Sequence, residues 1–507
     1  MGTWRACCLL TIASLLLCGC EKGLGAELTP SRQSEPEAQA VYPAQDFSIV
    51  DVRLTLPSGA ILDFTDRPIA LDVRIDLSFS RALRADEEAR FENLFSVIDE
   101  ETNVVPGKTE WSGDGTQMTY IPSAHLAYET TYTIMGIRPI GFDTSFKTMT
   151  CGDVDGDGRA DFIVGAPGAG NERGKVQIFS GARPSGPPMA EIAGDSDGDL
   201  LGSWVAPASD VNNDGYEDLL VSRTKGKGRS DAFIVLSGKA LARGTQEILG
   251  AGKRPLPTGP SVAVLEGLKS EVSVETIVGD PGFDSSRGKI SIKSAAGDAA
   301  GVIVEINGVS PADRYGAAIS AAGDVNGDRF ADFVVGAPGA LAKTGEAYIY
   351  SGAELSGRPM AMRIGGEAGD ALGSAVAGIG DVNGDGRDEV LVGAPEAGQG
   401  RGGVQLFSGA DIGGKAMADR SGDAPAEGFG SSVAGIGDIN ADGKLEIIVG
   451  APGFGDGANE DLGRVYIFND SDRYANPLVV LTGKSAHETL GASVASACPD
   501  PAKLNKH

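Results

Sequence analysis

Histidine, tryptophan, cysteine and methionine are scarce in this chain, with 3, 3, 6 and 8 copies in 507 residues. The three histidines, His125, His487 and His507, are scattered, and no Gly-x-Ser-x-Gly elbow occurs. Thr482-Gly483-Lys484-Ser485 has the end of a phosphate loop but not its beginning, because Leu478 stands where the first glycine belongs. An enzyme needs a nucleophile, a base or an open metal site, so the expectation is a non-catalytic protein. Basic side chains are outnumbered, 43 against 70 acidic ones, for a formal charge of −27. Such a polyanion does not hold nucleic acid or anionic lipid by bulk electrostatics, but it attracts cations. Aromatic residues make up 6 % of the chain while glycine reaches 74 copies, a balance that points to short strands and many tight turns rather than long helices. Apolar residues, at 41 %, exclude wholesale disorder, and the length implies two or more domains.

Only the N-terminus carries a long apolar run. Ala6 to Leu17, after Arg5, has the length of a secretory signal and is too short to cross a bilayer; no later stretch approaches 18 apolar residues. Leu17-Cys18-Gly19-Cys20 resembles the lipobox of bacterial lipoproteins, which implies a signal peptide over 1–19 and diacylation of Cys20; an ordinary signal peptide cut elsewhere is the alternative. Residues 20–45 are polar and carry Pro30, Pro36 and Pro43, and they read as a flexible tether. A tether of that length reaches about 28 Å. The membrane is thus expected to be met through the N-terminal lipid only, at the cell envelope, and Glu21 favours the outer membrane or cell surface over the inner membrane. Cys7, Cys8 and Cys18 leave with the signal, so Cys151 and Cys498 remain for a disulfide.

Residues 46–150 alternate apolar and polar side chains from Phe47 to Leu54, from Ile69 to Leu77 and at Tyr132 to Ile134, the mark of half-buried antiparallel strands, while Ala85 to Leu94 suits a short helix. Ser78-Phe79-Ser80, Thr119 to Pro122, Tyr132 to Ile134 and Phe146 to Thr148 resemble the successive strands of bacterial Ig-like domains, which implies an Ig-like β-sandwich; a plain small sandwich is the other reading.

The rest of the chain is periodic. Val-Gly-Ala-Pro begins at Val164, Val335, Val392 and Val449, with variants at Val278 and Val221, and successive copies lie 57 residues apart. The same interval separates a Gly/Val or Gly/Ile pair (Gly202, Gly259, Gly316, Gly373, Gly430) and a β-rich run ending in Ser180, Ser237, Ser294, Ser351 or Ser408. A period of this size with about four short strands per unit indicates a propeller.

Between the first two strands of most units lies an acidic loop. The five candidate ligand sets are Asp153, Asp155, Asp157, Arg159 and Asp161; Asp210, Asn212, Asp214, Tyr216 and Asp218; Asp324, Asn326, Asp328, Phe330 and Asp332; Asp381, Asn383, Asp385, Arg387 and Glu389; and Asp438, Asn440, Asp442, Lys444 and Glu446. Side-chain oxygens at positions 1, 3, 5 and 9, with the main-chain carbonyl of position 7, form an all-oxygen set that suits Ca²⁺ rather than Zn²⁺. Asp, Asn and Gly also make good β-turns, but turn chemistry does not explain so many carboxylates crowded together in five loops. Position 6 is Gly158, Gly215, Gly386 or Gly443, and Arg329 in the fourth unit makes that site the least secure. In the third unit the corresponding residues are Gly267, Lys269, Glu271 and Glu275, and no metal is expected there.

The order Phe429-Gly430, Asp438 to Glu446 and Val449 to Pro452 resembles the FG-GAP repeats of integrin α-subunit β-propellers. The resemblance implies Ca²⁺ on the loop side of a disc and protein-ligand binding on the opposite face. Six units are present rather than seven, and residues 491–498 supply the first strand that unit one lacks. The fold expected is therefore all-β: a sandwich over 46–150, a six-bladed propeller over 151–498 with seven blades as the alternative, and a tail over 499–507. In register, Cys498 falls beside Cys151, which supports their pairing. The function expected is a lipid-anchored, calcium-stabilised adhesion or binding module with an unidentified protein or glycan partner. An architectural envelope subunit and a hydrolase-associated propeller are the alternatives. Lys225, Lys227 and Arg229 form a small basic patch that reads as a solvated loop.

Overall fold

The computed structural model describes residues 49–55, 61–62, 73–92, 95–99, 102–123, 126, 131–136, 142–147, 152–154, 157, 159–208, 218–224, 231–242, 248–252, 262–266, 274–294, 302–440, 442, 444–469 and 474–498. The signal and lipidation sequence, the tether, Cys151, the basic patch at 225–229, His125 and the C-terminal tail lie outside them, as do Asp155, residues 210–216, and Gly267, Lys269 and Glu271. Among the described residues no helix is long and apolar enough to cross a membrane.

Residues 49–147 form two sheets around one core. The first has the strand order Ile61–Leu62, Ile49–Thr55, Arg74–Phe79, Gln117–Pro122, Gly107–Trp111, and the second Phe95–Ile98, Thr131–Gly136, Phe142–Lys147. Strict alternation in Arg74–Phe79 sends Ile75, Leu77 and Phe79 inward, where they meet Val97, Tyr132 and Ile134 of the second sheet. The charged stretch after residue 84 is the helix Ala85–Glu92, which adds Phe91 to that core.

Six four-stranded antiparallel sheets follow. The fifth is typical, with Ala375–Gly378, Val390–Ala394, Gly403–Phe407 and Ala418–Ser421 paired in sequence order. Every residue of its second strand is buried, as in Phe162–Ala166 and Ile447–Ala451, because neighbouring sheets cover both faces. Double coverage turns the alternation expected of a strand into a continuous apolar run. The outermost strands keep one wet face, so Pro477–Thr482 alternates in burial and exposes Leu478 and Val480. First strands of successive sheets lie side by side: Val262–Glu266, Ala318–Gly323, Ala375–Gly378, Ser432–Gly435 and Ser493–Ser496, the last also against Val205–Pro207.

The two glycine landmarks have one cause. A Cβ placed on Gly393 would sit 2.1 Å from the carbonyl oxygen of Gly430, the glycine that opens the next sheet. Gly430 in turn donates its N–H to Gly450 at 3.0 Å with φ of +88°. Backbones of adjacent sheets touch at these points, and no larger residue fits.

The first sheet is completed from the far end of the chain. Ser493–Ser496 pairs antiparallel with Phe162–Ala166, Val494 opposite Val164. Gly491 donates to the carbonyl of Gly165 at 3.0 Å, and Lys175 meets the buried carboxylate of Glu488 at 2.7 Å. Cys498 is buried and disulfide-bonded, and its backbone nitrogen abuts Gly152. The pairing leaves the strand Phe162–Ala166 with a neighbour on both sides.

Gly393→Ala is expected to destabilise the protein by about 1–3 kcal/mol, since the added methyl group must displace backbone. Gly413→Ala, where nothing lies within 4 Å, serves as the control. Thermal melts of the two variants check this: a fall for the first and a near-unchanged midpoint for the second.

Candidate metal centres

Four of the acidic loops, as far as they are described, are wound around their own carboxylates. Asp381 accepts the backbone N–H groups of Gly384 at 2.7 Å, Asp385 at 3.1 Å and Gly386 at 2.8 Å. Asp324 does the same for Gly327, Asp328 and Arg329, and Asp153 and Asp438 accept the N–H of Asp157 and Asp442. The position-5 carboxylate takes the N–H of position 7 in all four loops: Asp157 from Arg159, Asp328 from Phe330, Asp385 from Arg387, Asp442 from Lys444. These bonds fold positions 1 to 7 into a compact turn with oxygen on its inside.

Position 9 is the buried end of the site. Asp161, Asp218, Asp332, Glu389 and Glu446 are fully buried. One oxygen accepts the N–H of position 2 in the same loop, from Val154, Val325, Val382 or Ile439 at 2.8–3.0 Å. The other reaches a backbone amide 20 residues on, as Asp161 does with Gly181, Asp218 with Gly238, Asp332 with Gly352 and Glu389 with Gly409. The loop is thereby tied to the end of the third strand. The recurrent serine there has a use that its position in the sequence did not reveal: Ser180, Ser351 and Ser408 donate to the position-5 carboxylates of Asp157, Asp328 and Asp385. Position 3 also has a second role. The amide nitrogens of Asn383 and Asn440 donate to Glu389 and Glu446 at 2.8 and 2.6 Å, leaving the amide oxygens as acceptors.

Two loops gather the full carboxylate set. Oxygens of Asp381, Asp385 and Glu389 lie within 4.8 Å of one another, and so do those of Asp438, Asp442 and Glu446. That spacing fits a cation bound to oxygen at 2.3–2.6 Å. Asp324, Asp328 and Asp332 are described but do not converge to this degree; Arg329 holds φ of +72° where other loops have glycine. In the first loop Asp153, Asp157 and Asp161 are described and likewise do not converge to this degree, Asp155 lying outside the described residues; in the second loop only Asp218 is described.

The electrostatics of the loops favour a positive charge among the carboxylates. Burial pushes the Glu389 and Glu446 carboxyls up to about 8, aided by the charges of Asp385 and Asp381 and of Asp438 and Asp442, against the opposing pull of the backbone amides. Burial likewise raises Asp332 to about 7, with Asp328 and Asp324 adding to the rise. A bound divalent cation supplies the positive charge that these crowded carboxylates lack.

The opposite ends of the sheets carry a feature without a sequence signature. After the Gly-Ala-Pro turn, three successive residues adopt left-handed backbone, as at Leu341, Ala342 and Lys343 with φ of 51–65°. The turn is held by a parallel bridge from Gly345 to Leu372 of the following connection. This same face exposes Phe283, Val309 and Leu341, at 38, 76 and 56 %.

Groups whose folded pKa exceeds the unfolded value stabilise the chelated protein fully below about pH 4, and that contribution is lost as pH rises through about 7 to 8. The melting temperature of chelated protein is therefore expected to fall between pH 5 and pH 8.5. Saturating Ca²⁺ replaces the protons, so the gap between loaded and chelated melts widens with pH; parallel curves would contradict the assignment of these carboxylates to cation sites.

The FG-GAP repeat family matches residues 149–179, 315–350, 372–407 and 429–468, the units whose Gly-Ala-Pro turns are intact. Integrin alpha-IIb of Homo sapiens is 32 % identical over 210 residues, 38 % of this chain and 20 % of that protein. Integrin alpha pat-2 of Caenorhabditis elegans is 30 % identical over 270 residues, 52 % of this chain and 19 % of that one. The chain thus spans about a fifth of the length of these relatives. Among solved structures the Dos1 propeller aligns over 87 % of this chain and 88 % of its own, with 11 % identity and a TM-score of 0.30. Four segments of the chain thus match the FG-GAP repeat, and part of its length resembles integrin α subunits.

Proposed function

We propose that this protein is a calcium-stabilised binding module of the cell envelope, carried on an N-terminal lipid at Cys20 and presenting its propeller to a protein or glycan partner. The observation that carries the reading is the pair of three-carboxylate clusters at Asp381, Asp385 and Glu389 and at Asp438, Asp442 and Glu446, repeated in register with the ring of sheets. Ca²⁺ is the ion of choice because every donor is a hard oxygen. The six four-stranded sheets are read as six blades, with Ser493–Ser496 as the strand that completes the first. Cys151 is the proposed partner of the disulfide-bonded Cys498, a clasp across the seam. The sandwich over 49–147 is read as an Ig-like spacer. The calcium loops bind and hold; the chemistry of their residues offers no catalysis, and the chain is proposed to be non-enzymatic.

The partner is placed on the face opposite the calcium loops, where the left-handed turns hold the connections in fixed shape and Phe283 and Leu341 are exposed. An architectural subunit without a free ligand remains the rival, and capture from intact cells separates the two.

In about millimolar Ca²⁺, sites of ordinary extracellular affinity contribute roughly 0.4–1.4 kcal/mol each. Calcium is expected to raise the melting temperature over chelator, and an unchanged melt would refute calcium as a structural ion. Capture of a surface partner from intact cells is expected with Ca²⁺, to weaken with chelator, and to weaken with Phe283→Ala/Leu341→Ala at an unchanged melting temperature. No capture under any condition favours the architectural reading.

A further inference from the structure

Two neighbouring acidic loops are bonded to each other across the boundary between their sheets. Asp388, the eighth residue of the 381–389 loop and only 8 % exposed, donates its backbone N–H to the carbonyl of Asp324 at 3.1 Å. Its carboxylate accepts the backbone N–H of Asp324 at 2.7 Å. Asp324 is the first candidate ligand of the neighbouring loop, so both of its backbone polar groups are held by Asp388 of another sheet's loop. Arg387, beside Asp388, packs over that loop as well, since a Cβ on Gly327 would stand 3.4 Å from its Nε. Elsewhere the place of Asp388 is taken by Ala160, Glu217, Ala331 or Leu445, so the repeat pattern does not account for this carboxylate.

The two bonds join a loop whose three carboxylates do not converge, 324–332, to one whose carboxylates do, 381–389. We propose that Asp388 is a positioning residue that couples the two loops, so that Ca²⁺ held by the 381–389 loop raises the affinity of the 324–332 loop. The inference rests on the calcium reading above. Arg387 and Glu389, which would hold the ion through a carbonyl and a carboxylate, flank Asp388, and fixing them fixes it. An ordered Asp388 presents Asp324 already in place, which lowers the conformational entropy that the second ion must remove. Linkage makes the effect reciprocal: the 324–332 loop must strengthen the 381–389 loop by the same factor.

The test is a Ca²⁺ titration of glycine-labelled protein followed by NMR, with Gly327 reporting one loop and Gly384 and Gly386 the other. Disabling the second loop with Asp381→Asn/Asp385→Asn is expected to raise the Ca²⁺ midpoint at Gly327 about fivefold. Disabling the first with Asp324→Asn/Asp328→Asn is expected to raise the midpoint at Gly384 by the same factor. Asp388→Ala, combined with either pair, should abolish the cross-effect, whereas Asp388→Asn, whose amide oxygen still accepts the Asp324 N–H, should keep it. A merely structural role for Asp388 would lower stability without making the two midpoints depend on each other. Midpoints that stay put in both double variants, or coupling that survives Asp388→Ala, overturn the inference while leaving calcium binding intact. Glycine signals that do not respond to Ca²⁺ at all overturn both.

Discussion

A carboxylate buried at the head of the second strand is the constraint around which each acidic loop is organised. Removing such a group from water costs several kcal/mol unless hydrogen bonds, a proton or a cation compensate. In Glu389 the compensation is divided: Val382 and Gly409 supply backbone amides, Asn383 supplies a side-chain amide, and the remaining demand falls on whatever sits between Asp381 and Asp385. Burial pushes the Glu389 and Glu446 carboxyls up despite the opposing pull of these amides. If a cation binds there, folding of the loop and binding are coupled.

Those loops matter to the whole ring because they join elements distant in sequence. Four of them tie their own third strand through the amide 20 residues on, and the first touches the last sheet directly. Arg159 of the first loop, for example, donates to the carbonyl of Ile439 in the last. At the other end, the sheets meet through glycine backbones that leave no space for side chains. A propeller assembled this way has tight contacts at both ends of its sheets. Its seam uses main-chain pairing of Ser493–Ser496, an ion pair at Lys175 and Glu488, and the disulfide at Cys498.

The parts of this architecture that repeat were legible in the sequence, because a fixed period marks the residues that every unit needs. The strand order within each sheet, the completion of the first sheet from residues 493–496 and the acidic loops all came from that period. The second strand of the fifth sheet starts at Val390, directly after Glu389, which turns inward to serve the loop. Two features were not legible. The left-handed turn at Leu341 to Lys343 uses residues with no preference for that conformation, which roughly costs 1–2 kcal/mol each and is set by contacts with the next connection rather than by local sequence. The link from Asp388 to Asp324 joins residues 64 apart on different sheets, and nothing in either loop alone announces it.

Equilibrium dialysis of the purified protein against Ca²⁺ at neutral pH, with bound metal counted per molecule, bears most directly on the claim that these carboxylates are cation cages. The account predicts at least the two ions that the 381–389 and 438–446 loops are shaped to hold, and up to one for each of the five acidic loops. A protein that folds, remains monodisperse and binds none would contradict it.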